Sequence, residues 1–351
     1  MTGATAARRN DYYRRLDPLS MAPLWEVLGD LVTPSPASRC RPACWRYEDV
    51  RALLLESGDL ISAREAERRV LVLENPGLRG ESRVTTSLYA GLQLILPGEV
   101  APAHRHTQTA LRFVVEGEGA YTAVDGEKAV MHEGDFIITP SGTWHDHGNE
   151  SDGPVVWLDG LDIPIVTLLD ASFAERYPEE AQATTRPLGA AAARYGCGLL
   201  PVEASSGGPA SPVFSFPYAR TREALDRLRA SAAVDACHGI RMKYANPLDG
   251  GYALPTIATF IQLLPRGFRG AAHRSTDATV FCVAEGEGRT VAGEETFTWG
   301  PRDTFVIPSW WPRRHEVEGG DAVLFSFSDR VVQEALGLWR EEREPFAGVP
   351  T

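Results

Sequence analysis

Two pairs of histidines have the spacing that metal binding on a β-strand requires. His104 and His106 are separated by one residue, and so are His145 and His147. Because alternate residues of a strand point to the same side of a sheet, each pair would present two imidazoles to one surface. Imidazole nitrogens bind zinc, copper, iron and nickel well. The sequence therefore predicts a metal site if the two strands are neighbours, although a lone His-X-His pair is often just two polar residues at a strand end.

The composition is that of a globular protein that acts on small molecules. Of the 351 residues, 43% are apolar and 23% are charged, which suits about two packed domains. The formal net charge of −12 argues against a nucleic acid or an anionic membrane as the partner. No apolar run is long enough to cross a membrane, and the first residues lack the apolar core of a secretory signal. With five scattered cysteines that fit reduced thiols, we expect a cytoplasmic protein.

The chain repeats its histidine motif. The 16 residues from His104, HRHTQTALRFVVEGEG, and the 16 from His273, HRSTDATVFCVAEGEG, are identical at 8 positions. At the same offset upstream, Gln93 falls on Gln262. A repeat of this length indicates two copies of one domain.

Each copy reads as a series of short strands. The segments TSLYAGLQLIL, LRFVVEG, GAYTAVDG, DFIITPSG and PVVWLDG are rich in β-forming residues and separated by turn residues, which predicts a sandwich or barrel. Helices are expected in YEDVRALLLESG, at 221–230 with Thr221 as the N-cap, and in DRVVQEALGLWREER. The predicted division is a helical or extended segment at 1–85, domains at 86–177 and 216–330, a linker at 178–215, and a helix and tail at 331–351.

The spacing within the first repeat resembles the two motifs of the cupin family. The matching positions are Gly98, His104, His106 and Gly117 in the first motif, and Gly134, Pro140, Gly142, His145 and Asn149 in the second. The glutamate that many cupins carry after His-X-His is absent, because Ala110 and Leu111 stand there. The resemblance implies an all-β fold with two double-stranded β-helix (jelly-roll) barrels, a bicupin, with a few flanking helices.

The two copies differ in the residues that would hold a metal. A ligand set of three neutral histidines leaves a divalent ion its full charge and open positions for a substrate. If the strand ran on from His104 without a bulge, Arg112 would share the inner face with the ligands. In the second copy Ser275 and Arg313 replace His106 and His145. We therefore expect a metal-free C-terminal cupin that serves packing and assembly.

Residues from about 22 to 330 also resemble the gentisate 1,2-dioxygenase family. The stretches that carry the resemblance are APLWEVLGDLV, AERRVLVLENPGL, the segment around HRHTQTALRFVVEGEG, GDFIITPSGTWHDHGN, WLDGLDIPIV and KYANPLDGGYALPTIATFIQLL. The resemblance implies one Fe(II) per chain in the N-terminal cupin and O2 as co-substrate. The implied reaction opens gentisate between its carboxyl-bearing carbon and the adjacent hydroxylated carbon, giving maleylpyruvate. A homotetramer is implied as well.

The resemblance and the side-chain chemistry together assign roles to individual residues. The metal ligands would be His104, His106 and His145, and Arg112 would bind the substrate carboxylate through its planar fork. His147 is expected to transfer a proton or to orient dioxygen, and Gln93 to hydrogen-bond a bound oxygen. Asp159 is expected to orient one of the histidines, and Arg68 to bind the substrate. Tyr89 and Gly91 are expected to shape the pocket. Purely structural roles stay open for three of them: Gln93 recurs in the second copy, Arg68 could lie with Arg69 at a solvated helix end, and Asp159 could cap a turn.

Three other interpretations of the sequence remain. A salicylate or 1-hydroxy-2-naphthoate 1,2-dioxygenase of the same family would use the same ligands, with Tyr89 and Gly91 deciding which ring fits. A non-catalytic bicupin that binds a ligand would not need three intact histidines. A metal-dependent sugar isomerase would need the carboxylate that Ala110 has replaced.

Overall fold

The computed structural model describes residues 3–203 and 208–346. Residues 204–207 of the linker predicted at 178–215, the start of the predicted N-terminal segment and the end of the predicted tail lie outside the described residues. Residues up to Ala37 form a separate unit with two helices, and the remainder from Ser38 forms the second unit. None of the helices in the described ranges is long and apolar enough to cross a membrane.

Eight α-helices occur in the described residues, two in the first unit and six in the second. They are α1 Gly3–Leu16, α2 Leu24–Leu31, α3 Tyr47–Leu60, α4 Ala63–Ala66, α5 Ile163–Leu168, α6 Ala190–Tyr195, α7 Tyr218–Ser231 and α8 Arg330–Ala335. The helix predicted in YEDVRALLLESG is confirmed as α3.

The predicted N-cap at Thr221 is wrong, because α7 begins at Tyr218, after Pro217. The Asp135 carboxylate accepts a hydrogen bond from the Tyr218 backbone N–H at 2.8 Å, so a distant residue satisfies the free end of this helix. The last predicted helix is also shorter than expected. It ends at Ala335, before Gly337 in the left-handed region (φ 69°).

The described part of the second unit contains 22 strands. In chain order they are β1 Ala43–Trp45, β2 Val70–Val72, β3 Tyr89–Ile95, β4 Val100–His106, β5 Ala110–Glu116, β6 Ala120–Val124, β7 Glu127–Val130, β8 Phe136–Thr139, β9 His145–Asn149, β10 Val155–Leu161, β11 Ala174–Arg176, β12 Ser215–Phe216, β13 Ile240–Lys243, β14 Ala258–Leu264, β15 His273–Ser275, β16 Thr279–Glu285, β17 Gly288–Ala292, β18 Glu295–Trp299, β19 Thr304–Ile307, β20 Arg313–Glu316, β21 Ala322–Ser328 and β22 Glu341–Arg343.

These strands form two domains of two antiparallel sheets each. The N-terminal domain pairs a sheet of order β12-β8-β5-β10-β3-β2 with one of order β11-β4-β9-β6-β7. The C-terminal domain pairs β1-β19-β16-β21-β14-β13 with β18-β17-β20-β15-β22. The equivalent strands occupy equivalent places, as the repeat requires. The predicted all-β bicupin fold is confirmed.

Each domain takes an edge strand from elsewhere in the chain. Strand β1, from the N-terminal segment, pairs with β19 of the C-terminal domain, and β12, from the region predicted as linker, pairs with β8 of the N-terminal domain. Strands β2 and β22 likewise lie outside 86–177 and 216–330, and pair with β3 and β15. Through β1, the segment before the N-terminal domain is therefore joined to a sheet of the C-terminal domain.

An aromatic cluster joins the large sheets of the two domains. Phe113 on β5 stacks on Phe325 on β21 with ring centroids 4.4 Å apart and planes 7° from parallel. Phe136 and Tyr244 complete the cluster, with centroids 4.4 Å apart. At Gly160 a Cβ would lie 2.8 Å from the ring of Phe327, so the glycine permits close approach. The outer face of the β3-β10-β5 sheet is thus fixed, and its inner face is free to carry a site.

Removing one ring of this cluster tests its contribution. We expect Phe325→Ala to lower the free energy of unfolding by about 3–5 kcal/mol, because it leaves a cavity between the two sheets. Urea unfolding followed by tryptophan fluorescence would measure the change. Phe173→Ala is the matched control, since Phe173 is exposed and its loss should change stability little. Equal effects of the two variants would contradict the role of the cluster.

Candidate active site

Three histidines of the N-terminal domain converge on one point. Their ligand atoms all lie within 4.8 Å of one another, and they are the only group of three or more potential metal-binding side chains found in the described ranges. His104 on β4 lies opposite His145 on β9 in the antiparallel register. The sheet therefore brings together residues 41 positions apart, and the site is a three-histidine metal-binding group.

Backbone carbonyls orient all three imidazoles in the same way. The Nδ1 atom of His104 lies 3.1 Å from the Pro102 carbonyl oxygen, and that of His145 lies 3.0 Å from the Thr143 oxygen. For His106 the partner is the Gln108 oxygen, at 2.7 Å. A proton held on Nδ1 by a carbonyl leaves Nε2 with its lone pair for a metal. The buried Nε2 of His145 has no hydrogen-bond partner, which fits a metal ligand.

Burial keeps these imidazoles neutral. It lowers the pKa of His104 to about 3, with a further contribution from the nearby Arg68 guanidinium. Burial also lowers the pKa values of His106 and His145, and the nearby Arg112 and Arg68 guanidiniums lower them further. Neutral imidazole is the form that binds a metal, so no proton has to be displaced at neutral pH.

The strand carrying the first pair does not continue to Arg112, which corrects the assumption of an unbroken strand. β4 ends at His106 and β5 begins at Ala110. The Asp162 carboxylate accepts a hydrogen bond from the Thr109 backbone N–H at 2.8 Å and holds the break. Arg112 nevertheless faces inward, because β5 pairs with β10 in a register that sets Arg112 opposite Asp159.

Arg112 is buried on the inner face of the sheet and held by two side chains. It is 3% exposed, its Nη1 donates to Thr139 Oγ1 at 2.6 Å, and its Nε lies 3.5 Å from Asp159 Oδ1. Burial lowers the pKa of Arg112 and raises that of Asp159 to about 6, while each charge favours the charged form of the other. The buried ion pair keeps a cation beside the metal-binding group.

The structure corrects the role expected of Asp159. Its described contacts are the Arg112 guanidinium and the indole N–H of Trp157, which donates to Oδ1 at 3.1 Å. Among the described residues, no hydrogen bond or ion pair joins Asp159 to a histidine. Asp159 therefore positions Arg112.

His147 is held by a threonine that sequence reasoning missed. Thr122 Oγ1 lies 3.0 Å from His147 Nδ1 and donates to Met131 Sδ at 3.4 Å. The hydroxyl thus accepts from Nδ1–H, and the buried, unpartnered Nε2 keeps its lone pair. The C-terminal copy has the same pair, since Thr290 Oγ1 lies 2.9 Å from His315 Nδ1. The recurrence of both residue types in the repeat was the sequence signal for this contact.

Arg68 lies at the metal-binding group, whereas Arg69 does not. Arg68 Nη2 is 2.6 Å from His104 Nδ1 and donates to the Pro102 oxygen at 3.0 Å. Burial, reinforced by Arg112, lowers the pKa of Arg68 to about 9. Arg69 is buried in a salt bridge with Glu99, so a solvated helix end is excluded for it.

Tyr89, Gly91 and Gln93 share the face of the sheet that carries Asp159. In the β3-β10 register they lie opposite Leu161, Asp159 and Trp157. A Cβ at Gly91 would lie 2.4 Å from Val70 Cγ1 and 3.0 Å from Tyr89 Oη. Val70, which sequence reasoning missed, thus packs against Gly91, and the observed packing leaves no space for a side chain there.

The two-sheet domains and the three facing histidines define a metal-binding bicupin, and a model of the cupin domain matches residues 91–161. The chain is 58% identical over 340 residues to gentisate 1,2-dioxygenase 1 of Aquipseudomonas alcaligenes, covering 97% of this chain and 98% of that protein. This chain belongs to the gentisate 1,2-dioxygenase family.

Two further relatives show the range of the family. The 5-aminosalicylate 1,2-dioxygenase of a Comamonas species is 40% identical and covers 92% of this chain and 87% of its own. A crystal structure of the salicylate 1,2-dioxygenase of Pseudoaminobacter salicylatoxidans with gentisate superposes with a TM-score of 0.92 at 35% identity, covering 97% of this chain and 94% of that one. Dioxygenases named for different hydroxybenzoates thus match this chain over nearly its whole length.

Removal of one imidazole tests the metal-binding group. We expect His106→Ala to abolish stoichiometric metal binding, because two imidazoles cannot hold the ion in a site of this geometry. Metal content per chain by mass spectrometry after loading and gel filtration gives the result. His132→Ala, which removes an exposed imidazole, should retain the metal. Full metal content in His106→Ala would contradict the assignment.

Proposed function

We propose that this protein is an Fe(II)-dependent gentisate 1,2-dioxygenase. It would use O2 to cleave gentisate between the carboxyl-bearing and adjacent hydroxylated carbons and release maleylpyruvate. The observation that carries the proposal is the three-histidine group beside the buried guanidinium of Arg112. The 58% identity over nearly the full length to a gentisate dioxygenase supports the choice of substrate.

The donor set fits a ferrous ion. Three neutral imidazoles and no carboxylate leave the ion doubly charged, with positions open to ligands. His104, His106 and His145 would hold it, one ion per chain in the N-terminal cupin. When bound, the iron would supply adjacent coordination positions for the substrate oxygens and dioxygen, which brings the two reactants together.

Arg112 would bind the substrate carboxylate. Its Nε is buried and without a hydrogen-bond partner in the free protein, and Thr139 and Asp159 fix the plane of the guanidinium. A fixed, desolvated guanidinium pairs strongly with a carboxylate because little ordering is needed on binding. Arg112 would thus set the orientation of the ring over the metal.

Arg68 would add a second cation for the anionic substrate. Its guanidinium lies against His104 and donates to the Pro102 carbonyl oxygen at 3.0 Å. A substrate carboxylate or ionised hydroxyl at the metal-binding group would be attracted to this charge. Gln93, on the same inner face, would add a neutral donor for a bound oxygen.

His147 would act as the general base. Its Nδ1–H is engaged by Thr122, and its Nε2 lone pair is buried and free. Burial and the nearby Arg112 and Arg68 guanidiniums lower the pKa of His147 in the free protein, so the imidazole is neutral. A bound anionic substrate would offset those charges and raise the pKa towards the range a base needs, and Nε2 would then take the proton of the substrate hydroxyl.

A salicylate or 1-hydroxy-2-naphthoate 1,2-dioxygenase is the second candidate. The likeness to a salicylate 1,2-dioxygenase structure supports it, with a TM-score of 0.92 at 35% identity over 97% of this chain. Gly91 does not favour a larger ring, because Val70 and Tyr89 occupy the space beside it. A non-catalytic ligand-binding bicupin is less well supported, since ligand binding alone does not need three converging imidazoles with a base beside them.

The protein would act as a cytoplasmic homotetramer. Helix α2 exposes Leu24, Trp25, Leu28 and Leu31, an apolar face that a second copy of the chain could cover. Light scattering should give four times the chain mass, and the double substitution Trp25→Glu with Leu28→Glu should lower the measured mass.

The cysteines support the cytoplasm as the compartment. All five are free, as expected in a reducing compartment.

Oxygen uptake by the anaerobically Fe(II)-loaded protein tests the proposed reaction. Gentisate, salicylate and 1-hydroxy-2-naphthoate would be offered separately, with product identified by NMR. We expect uptake with gentisate and a maleylpyruvate product. Uptake only with the other two acids would favour the second candidate, and no uptake by iron-loaded protein would overturn the proposed activity.

Replacement of Arg112 tests its role in binding the carboxylate. We expect Arg112→Met to raise KM and to lower kcat/KM by the equivalent of about 2–5 kcal/mol, through loss of a buried charge pair. Metal content should be unchanged. Arg105→Met, which removes a cation paired with Glu175 on the outer face, is the control. An unchanged KM in Arg112→Met would refute the role.

Replacement of His147 separates proton transfer from metal binding. We expect His147→Gln to retain iron and bind gentisate, while kcat falls by roughly 10²- to 10⁴-fold because the base is lost. His315→Gln, the matched change in the C-terminal copy, should leave kcat unaltered. Wild-type kcat in His147→Gln would contradict general-base catalysis at this position.

A further inference from the structure

The C-terminal barrel buries a guanidinium where the N-terminal barrel has a metal ligand. His273 on β15 lies opposite Arg313 on β20, as His104 lies opposite His145. Ser275 takes the place of His106. His273, Ser275 and Arg313 are 0%, 1% and 3% exposed, respectively. A fixed organic cation thus lies at the position where a metal ion would otherwise sit.

Several donors of this cluster are buried without a partner. Arg313 Nη2 donates to Ser275 Oγ at 3.2 Å, but Nε and Nη1 have no hydrogen-bond partner. Both ring nitrogens of His273 are also buried and unpartnered. Within residues 3–203 and 208–346, no carboxylate lies within salt-bridge distance of Arg313. Unpaired buried donors are costly, and donors that converge on one point are the means by which proteins bind anions.

A second guanidinium adds to the positive charge. Arg241 Nε is buried and unpartnered, and its Cζ lies 3.9 Å from the centre of the Phe260 ring. The nearby carboxylate of Asp277 is buried and accepts from Trp339 Nε1 at 3.0 Å. Asp277 therefore acts electrostatically on both guanidiniums, Arg241 and Arg313.

A second carboxylate, Glu341, lies near the two guanidiniums but is engaged elsewhere. It pairs with Arg343 at 3.1 Å and lies 3.6 Å from His238 Nε2. Burial lowers the pKa of His238 to about 4 and that of His315 to about 3, so these imidazoles are neutral. The nearby carboxylates are thus held by other groups, and the buried Nε and Nη1 of Arg313 stay without a partner within the described ranges.

Aromatic rings limit the size of any ligand. Phe281 stands at the position of Arg112 and stacks on Phe305 with centroids 4.8 Å apart. His315 packs edge-on against Phe281 at 5.1 Å. The space that would receive an aromatic acid in the N-terminal barrel is therefore filled in the C-terminal barrel.

We propose that the C-terminal barrel binds one compact monovalent anion, a halide or a carboxylate the size of formate, between Arg313 and His273. Arg313 and Arg241 supply the charge, and the His273 imidazole supplies a neutral donor. The anion pairs with buried donors that otherwise lack a hydrogen-bond partner, so it stabilises the folded barrel. This site is separate from the metal-binding group and does not depend on the proposed reaction.

Thermal unfolding in sodium bromide and in sodium formate tests the proposal. The ionic strength would be held constant with a bulky morpholine sulfonate. Because unfolding opens the barrel, the transition reports the anion even if the native barrel exchanges it slowly. We expect the wild-type Tm to rise by roughly 2 °C per tenfold increase in anion above half-saturation. Arg313→Met should lose this response, and the exposed control Arg227→Met should keep it.

Bromine anomalous scattering from crystals grown in bromide locates the ion. A peak within hydrogen-bond distance of Arg313 and His273 is expected in the wild type and should be absent in Arg313→Met. A peak confined to the N-terminal barrel, or the same Tm response in Arg313→Met and Arg227→Met, would overturn the proposal. If Arg313→Met does not fold, Arg241→Met should need a severalfold higher anion concentration for the same Tm rise. A wild-type response in Arg241→Met would then overturn the proposal.

Discussion

The burial of positive charge is the constraint on which the active site depends. Arg112 is almost completely buried, Arg68 lies against His104, and the three-histidine group is suited to a divalent cation. Like charges this close repel strongly in a medium of low polarity. Asp159 offsets part of the charge, and a substrate that brings a carboxylate and an ionised hydroxyl would offset more. The site is thus electrostatically complementary to a hydroxy acid, which is also why a neutral sugar is a poor candidate.

The C-terminal barrel solves the same problem differently. It keeps the inward positions of the repeat and fills them with Arg313, Ser275 and Phe281, so the cation becomes part of the protein and the ring space is closed. Its outer sheet meanwhile packs on the N-terminal barrel through the stacked pair Phe113 and Phe325. One copy can therefore specialise in chemistry because the other supplies a rigid support for the sheet that carries Arg112.

Much of this was predictable from the sequence because strand periodicity and motif spacing are local. The alternation of His104 and His106, the turn glycines and the repeat led to the bicupin and to the metal-binding group. Other features arise from contacts between distant residues. The break after His106 depends on Asp162, the start of α7 depends on Asp135, and Asp159 is held by Arg112 rather than by a histidine. Strands β1 and β12 are too short to show a period, so nothing in the sequence indicated which sheet each of them would join.

The most direct test is a crystal structure of the anaerobic, iron-loaded protein with gentisate, recorded at the iron absorption edge. The account predicts one iron peak per chain, bound by His104, His106 and His145, with the substrate carboxylate directed at Arg112. Iron at another position, or gentisate bound with its carboxylate away from Arg112, would contradict it.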